Sequence, residues 1–321
     1  MHRLKLLMVA LAALFFTQPA LAQAPAKQKA VLVTGASSGI GLAITKLLAS
    51  RGFYVYATAR KDEDIARLEA MDNVSGLRLD VTKQAEVDAA VKFVQAQGRG
   101  LYGVINNAGV ASVAELTKTS DEDILWQHDI NVLGPLRVNR AFYPMLKDSK
   151  GRTAIIGSLS AFIMGPQGGG YGMTKAAIEA YGETLALETA ADGVSVAVID
   201  PGSFKSKARE KVFRRMLTGD GDSEEPLTPE QQKIIDDVQT REAQRKEPTE
   251  VADAVLHFLT SEKPHLHYMV AQSEESANMI VRAVIDRALQ LNASQTAYTL
   301  SRDELHKMLD EILAEQAVGA K

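Results

Sequence analysis

No cysteine occurs anywhere in the 321 residues. Disulfides, thiolate nucleophiles and cysteine-bound metals are therefore excluded. A thiol-free chain is compatible with an oxidising compartment, because nothing in it can mispair. Positive charge is not in excess either. Lys and Arg number 36 against 40 Asp and Glu, a formal net charge of −4, so no global basic field exists to hold nucleic acid. Internal repeats and low-complexity tracts are also missing. What is present is ordinary for a folded globular chain: 46% hydrophobic and 24% charged residues, long enough for one large domain with a well-buried core or two small ones.

The N-terminus has its own layout. Arg3 and Lys5 form a short basic flank, residues 6–16 are apolar, and Pro19 precedes the small-residue pattern Ala20-Leu21-Ala22 and then Gln23. This is the three-part design of a secretory signal peptide, with cleavage expected after Ala22. The alternative is an uncleaved membrane anchor, but the stretch from Leu6 to Ala22 carries Gln18 and Pro19 and falls short of the roughly 20 residues a span needs. Either reading exports the body of the protein, since the positive flank stays inside, and either allows membrane proximity through the N-terminus. No twin-arginine pair is present, so the signal resembles the general export type. The expected division is 1–22 signal or anchor, 23–28 linker, 29–291 main domain, and 292–321 a C-terminal helical extension.

Beyond the linker, short β-rich apolar runs alternate with helical stretches. Strands are expected at 30–34, 53–57, 76–79, 101–106, 153–157 and 194–199, with a seventh at 265–270. Helices are expected at 40–51, 65–70, 86–97, 122–131, 135–146, 171–191, 248–259 and 276–291. Ser301-Arg302-Asp303-Glu304 is a capping box that opens a last helix. Strands alternating with helices of this length imply an α/β fold: a doubly wound parallel sheet of the Rossmann type, about seven strands wide, with helices on both faces. Such sheets bind ligands beyond the carboxyl ends of their strands. Residues 203–246 are charged and helical in flavour, broken by Gly219-Asp220-Gly221-Asp222. A long excursion at this point is a candidate lid over the pocket, or else a solvated insertion. Its cations Lys205, Lys207, Arg209, Lys211, Arg214 and Arg215 could meet anionic lipid or substrate, although such runs are more often wet helix faces.

The first strand ends in Thr34-Gly35-Ala36-Ser37-Ser38-Gly39-Ile40-Gly41. A phosphate-binding turn needs exposed backbone N–H groups, tolerance of positive φ, and no side chain between backbone and pyrophosphate. Glycines at 35, 39 and 41, between a strand and a helix, meet those needs. The second strand runs into Ala59-Arg60, where NAD-preferring proteins carry an acid for the ribose 2′-hydroxyl. Ala59 leaves that place empty, and the Arg60 guanidinium suits a 2′-phosphate. The expected cofactor is NADP(H), with NAD(H) as the other candidate. Asp80, ending the third strand, could hold the adenine amino group.

Tyr171 and Lys175 are four residues apart, so they share one helix face. A free phenol is a poor acid–base catalyst at neutral pH. An ammonium about 4 Å away favours the phenolate, by roughly one to three pKa units once hydration is allowed for. Tyr171 could then donate a proton to a carbonyl or take one from an alcohol, while Ser158 polarises the substrate oxygen with a hydrogen bond.

Taken in order, Thr34–Gly41, Asn106-Asn107-Ala108-Gly109, Ser158 and Tyr171-Gly172-Met173-Thr174-Lys175 resemble the motifs of the short-chain dehydrogenase/reductase family. The resemblance covers roughly 29–291. It implies a hydride transfer between NAD(P) and a carbonyl or alcohol, with Asn131, Ser158, Tyr171 and Lys175 as the catalytic set. In that set Lys175 also grips the nicotinamide ribose, and Asn131 holds a water that relays protons to Lys175. It further implies a cofactor cradle of Gly35, Ser37, Ser38, Gly39, Ile40, Gly41, Arg60, Asp80, Val81, Asn107, Ala108, Gly109, Tyr171, Lys175, Pro201 and Gly202, and it is compatible with dimers or tetramers. The run Tyr56-Ala57-Thr58-Ala59-Arg60 resembles NADP-preferring members that act on bulky substrates. The expected substrate is a small, apolar alcohol or ketone.

The sequence departs from the family at Gln167-Gly168-Gly169-Gly170, whose three glycines point to a loose pocket wall, and after Pro201-Gly202, where Ser206 could replace a threonine. Rival readings are a non-catalytic, exported dinucleotide-binding scaffold on the same fold, and a hydrolase using Gly35-Ala36-Ser37-Ser38-Gly39 as a nucleophile elbow with Asp200 and His257. The elbow reading is disfavoured because the motif follows the first strand directly. His265 and His267 could share a strand face as metal ligands do, but with no third ligand evident they read as ordinary surface histidines, and no metal site is expected.

Overall fold

A computed structural model describes residues 28–295 and 297–319, with the side chains of 317–319 left aside. The signal-like segment and all but Gln28 of the linker therefore lie outside the described residues. Seven parallel strands form one sheet: β1 (Ala30–Val33), β2 (Tyr54–Ala59), β3 (Val74–Arg78), β4 (Gly103–Asn106), β5 (Arg152–Ile156), β6 (Ser195–Pro201) and β7 (His267–Val270), in the order β3-β2-β1-β4-β5-β6-β7. The doubly wound fold anticipated from the strand–helix alternation is present. The chain reverses its direction of winding between β1 and β4, which pair through Val31–Gly103 to Val33–Ile105. That crevice is where such sheets take ligands.

Period-two alternation explains why both faces are covered. Val31 and Val33 point into one core, which also holds Ile44 and Leu48 of α1 (Gly39–Ser50) and Val255 and Phe258 of α9 (Thr249–Thr260). Ala30 and Leu32 point into the other, with Val87 and Val94 of α3 (Gln84–Ala96) and Val138 and Phe142 of α5 (Gly134–Ser149). A strand buried on both faces needs an unbroken apolar run, as β1 has. The remaining early helices are α2 (Asp62–Glu69), α4 (Asp121–His128) and α6 (Gly169–Thr189).

The 203–246 segment folds as α7 (Ala208–Thr218) and α8 (Pro229–Ala243). Val212, Ile235 and Val238 are buried, so it packs and is not merely solvated. Several of its cations are paired within the molecule. Arg215 lies 3.9 Å over the Trp126 ring and 2.9 Å from Asp123, Lys211 lies 2.7 Å from Asp222, and Arg209 lies 2.9 Å from the buried Glu242. Helix α8 opens with a capping box of Thr228 and Gln231.

The capping box expected at Ser301 forms: Glu304 N donates to Ser301 Oγ at 3.4 Å, and Ser301 N to Glu304 Oε2 at 2.7 Å. It opens α11 (Arg302–Gly319), which follows α10 (Glu274–Ala293). Among the described residues, no helix is long and apolar enough to cross a membrane.

Candidate active site

The carboxyl ends of β1, β2, β4, β5 and β6 converge on one edge, and nearly all the residues singled out in the sequence lie there. Gly35 and Gly39 have φ of +65° and +54°, which side chains rarely adopt. A Cβ on Gly35 would sit 2.9 Å from Ala108 Cα, and one on Gly41 would sit 2.4 Å from Gly35 O and 2.5 Å from Asn107 Nδ2. The turn is thus closed tightly on β4. Thr34 Oγ1 accepts from the Asn107 and Ala108 amides at 2.9 and 3.0 Å, and Asn107 Nδ2 donates to the Thr34 and Gly35 carbonyls at 2.9 and 3.0 Å. Arg67 holds Ser37 O at 2.7 Å, while Ile40 packs on the core.

Ser38 is the N-cap of α1 but makes no side-chain cap bond, and the first turn has no acid. The amides there and the positive end of the helix dipole are left to an outside anion. These residues fit the phosphates of a dinucleotide: the turn leaves no room for side chains and keeps its donors free. Alanine at 41 should cost about 1–3 kcal/mol through overpacking and weaken nucleotide binding. Urea unfolding of Gly41→Ala checks this, and a wild-type midpoint would show that the turn can relax.

Around Asp80 the geometry is local. Its Oδ1 accepts from Thr82 N at 3.0 Å and Thr82 Oγ1 at 2.7 Å. Burial pushes its carboxyl up, but these bonds and the Arg60 and Lys83 charges outweigh burial and hold it below the usual range. It is thus kept as an anion at the end of β3. Val81 is buried against Gly134.

Ser158, 8% exposed, caps a short 3₁₀ turn (Leu159–Ala161), with its oxygen accepting from Ser160 N at 3.1 Å. Lys175, 6% exposed, donates from Nζ to Ile156 O at 2.7 Å and lies 5.5 Å from the centre of the Tyr171 ring. The expected i, i+4 meeting of Tyr171 and Lys175 therefore occurs, although at a greater separation than a direct contact. Asn131 lies on a π-helical turn (Asp129–Leu133), a distortion that recurs at functional sites. Its side chain is largely committed: Oδ1 accepts from Val110 N at 2.8 Å, and Nδ2 donates to Val110 O at 2.8 Å and Thr174 Oγ1 at 3.0 Å. Gly109 lies between it and Lys175, within 3.3 Å of Asn131 Oδ1 and 4.0 Å of Lys175 Nζ measured from an added Cβ. Pro201 ends β6, and Gly202 N donates to Val270 O at 2.9 Å.

One reading of the sequence needs correction, and two groupings that it weighed and set aside do not form. The glycines before Tyr171 do not form a loose wall. Helix α6 begins at Gly169, and a Cβ on Gly169, Gly170 or Gly172 would meet Leu116 at 2.5 Å, Gln127 and Ile124 at 3.1 Å, or the Met164 sulfur at 2.3 Å. Gly169 and Gly170, like Gly172 after the tyrosine, are sites of close packing, whereas Gly168 meets only Gly165 O at 3.6 Å. His265 and His267 do not share a face. His265 precedes β7 and stacks on His257 at 6.0 Å, whereas His267 turns the other way, 3.2 Å from Glu179 and 3.5 Å from Glu183. Asp200 and His257 are not brought to Ser37: Asp200 Oδ1 accepts from Ser158 N at 2.8 Å, and His257 Nδ1 is bonded to Tyr268 Oη at 3.0 Å.

One group went unnoticed in the sequence. Ligand atoms of Glu179, Asp200 and His267 all lie within 4.8 Å of one another, beneath Ser158. Burial, followed by the Glu179 charge, pushes the Asp200 carboxyl up to about 8, against the pull of the Ser158 amide and Lys175. The bond to Glu179 raises His267. The signal was available: Glu179 follows Lys175 by four residues, hence on the same helix face.

The model of the short chain dehydrogenase family matches residues 29–216. The chain belongs to that family. Among relatives of this short-chain dehydrogenase, the mitochondrial D-beta-hydroxybutyrate dehydrogenase of Bos taurus is 33% identical over 56% of this chain, which spans only 55% of that protein's length. The uncharacterized oxidoreductase YbbO of Escherichia coli (strain K12) is 30% identical over 82% of this chain and 94% of its own. Among solved structures, the closed form of serine dehydrogenase complexed with NADP+ superposes with a TM-score of 0.64 at 26% identity, over 76% of this chain and 94% of that one.

Proposed function

We propose that this short-chain dehydrogenase is an NADP(H)-dependent oxidoreductase that interconverts an alcohol and a carbonyl compound. The observation that carries the reading is the convergence of Ser158, Tyr171, Lys175 and Asn131 beside an anion-ready glycine turn. A bound nicotinamide would supply or accept the hydride; the chain must supply the proton and the polarisation. Ser158 already accepts a bond from Ser160 N, so its hydroxyl proton is left to donate to a substrate oxygen. The Tyr171 hydroxyl passes its proton to that oxygen in reduction and takes one in oxidation. The Lys175 ammonium, held by Ile156 O, favours the phenolate that remains and offers its other donors to a ribose. Asn131, braced by Val110 and Thr174, acts by fixing the floor on which Lys175 and Gly109 sit.

Leu116, Ile124 and Met164 press on the turn that carries Tyr171. An apolar alcohol or ketone suits such surroundings, and the hydroxybutyrate and serine dehydrogenases among the relatives keep small hydroxy acids as candidates. Gly35, Ser38, Gly39 and Gly41 would take the pyrophosphate, and Arg60 a 2′-phosphate.

The test is a titration of NADPH and NADH into the purified chain, followed by nicotinamide fluorescence. NADPH is expected to bind more tightly, with Arg60→Ala weakening NADPH by about 10- to 100-fold and NADH little, as loss of a charge-assisted contact worth about 1.5–3 kcal/mol implies. Equal binding would remove the role of Arg60 and keep the enzyme. No binding of either by a folded chain would remove the hydride-transfer reading.

A further inference from the structure

The acids in the connection between α7 and α8 sit on the two cations that follow β2. Arg60 Nη2 is ion-paired with Asp222 Oδ2, and Lys61 Nζ lies 2.7 Å from Glu224 Oε1. Asp222 also takes Lys211 Nζ at 2.7 Å on its other oxygen. Its side chain is 29% exposed against 49% for Arg60, so the acid is the better enclosed member of the pair. The backbone of Arg60 is held in place by Arg78, whose Nη1 donates to Arg60 O. Two ion pairs, more than 160 residues apart in sequence, thus fasten the same turn to the same corner of the sheet. In the last turn of α7, just before that connection, Arg215 is fastened to Asp123 and Trp126 on α4, so the same end of the helix is tied both to α4 and to the corner after β2.

An arginine presents the same donors to a carboxylate as to a phosphate. With Asp222 on Arg60, the corner already holds an anion where a 2′-phosphate would be received. It also holds an acid near the end of β2, the kind of group that Ala59 fails to provide for a ribose 2′-hydroxyl. We propose that Asp222 is a cofactor-specificity residue: it occupies Arg60 in the free protein, a 2′-phosphate must displace it, and the turn bearing Asp222 and Glu224 then leaves Arg60 and Lys61. This rests on the reading that Arg60 receives the 2′-phosphate. A nucleotide with a free 2′-hydroxyl has no such contest and binds with the turn in place. The preference for NADP(H) is accordingly smaller than Arg60 alone would confer.

Calorimetric titration of 2′,5′-ADP and 5′-AMP into the full chain tests this without turnover. Asp222→Asn is expected to bind 2′,5′-ADP about tenfold more tightly, the scale of one close like-charge contact in a half-exposed site, with 5′-AMP unchanged or weaker. Asp222→Glu should behave as wild type. A second measurement needs no substitution: trypsin should cut the wild-type chain between Lys205 and Arg215 faster with 2′,5′-ADP than with 5′-AMP. If Asp222→Asn leaves 2′,5′-ADP affinity unchanged while Arg60→Ala weakens it, the competition is overturned and the role of Arg60 stands. If Arg60→Ala has no effect on 2′,5′-ADP, the reading beneath the proposal falls and takes it along. Equal trypsin rates with both nucleotides would refute displacement of the turn.

Discussion

Phenylalanine at position 171 is expected to lower turnover by about 10²–10⁴-fold, the range that a positioned acid–base group contributes. The substitution removes one oxygen and keeps the ring, so the packing of α6 against Leu116 and Met164 is preserved. Nucleotide affinity should therefore stay within about twofold, and the loss should fall on kcat. The rate-limiting proton would then come from water, which does not hold its hydrogen at the substrate oxygen. Ser158→Ala should cost less, because polarisation is lost but the proton source remains. Steady-state kinetics with fluorescence binding on the same preparations decide the matter. A Tyr171→Phe protein with undiminished turnover would move proton transfer to another group. A wild-type chain that binds nucleotide but turns over no alcohol or carbonyl would make the fold a binding scaffold.

The second large effect is on stability and comes from Asp200. The residue is 2% exposed, with Glu179 as its neighbour, and its carboxyl is pushed up to about 8 by burial and by the Glu179 charge. An acid whose folded pKa lies above its unfolded value binds its proton more tightly in the native state. Its contribution is complete below the unfolded value near 3.8 and is lost as pH rises toward 8. His267, raised by the same Glu179, loses its contribution in the same direction. Between those limits stability should fall by about 1.4 kcal/mol per pH unit for each full proton involved. Asp200→Asn keeps an oxygen to accept from Ser158 N and adds an N–H donor for Glu179. Urea unfolding from pH 5 to 9 should show a flatter profile for this variant, and greater stability than wild type at the alkaline end. Parallel profiles for the two proteins would mean that Asp200 is ionised throughout and that the Ser158 bond alone sets its place.

Local features were the legible ones. Strand–helix alternation is a local pattern, and it gave all seven strands, with ends shifted by a few residues where capping or pairing decided the boundary. The glycine turn, Ser158 and the Tyr171–Lys175 pair were legible because each is a short motif at a strand end. What stayed hidden depends on which distant residues the fold brings together. Nothing in the text around Asp222 says that it will meet Arg60, and the charged run from Lys205 to Arg215 looks solvated until Asp123, Glu242 and Asp222 are seen opposite it. Gly169 and Gly170 were misjudged for the same reason: their neighbours Leu116 and Gln127 come from another part of the chain. Asn131 was singled out in the sequence, but the π turn that sets its side chain against Val110 has no sequence mark.

The strand order has a consequence for synthesis. Strand β1 takes β2 on one side and β4 on the other, and β4 is made long after β2 and β3. As the chain emerges, β1 to β3 can assemble first, which leaves the far edge of Ala30–Val33, an all-apolar strand, without a neighbour until Gly103–Asn106 appears. An open apolar edge is a template for pairing with other chains. The crevice between β1 and β4 is therefore also an edge that stays open in the nascent protein until Gly103–Asn106 has been made.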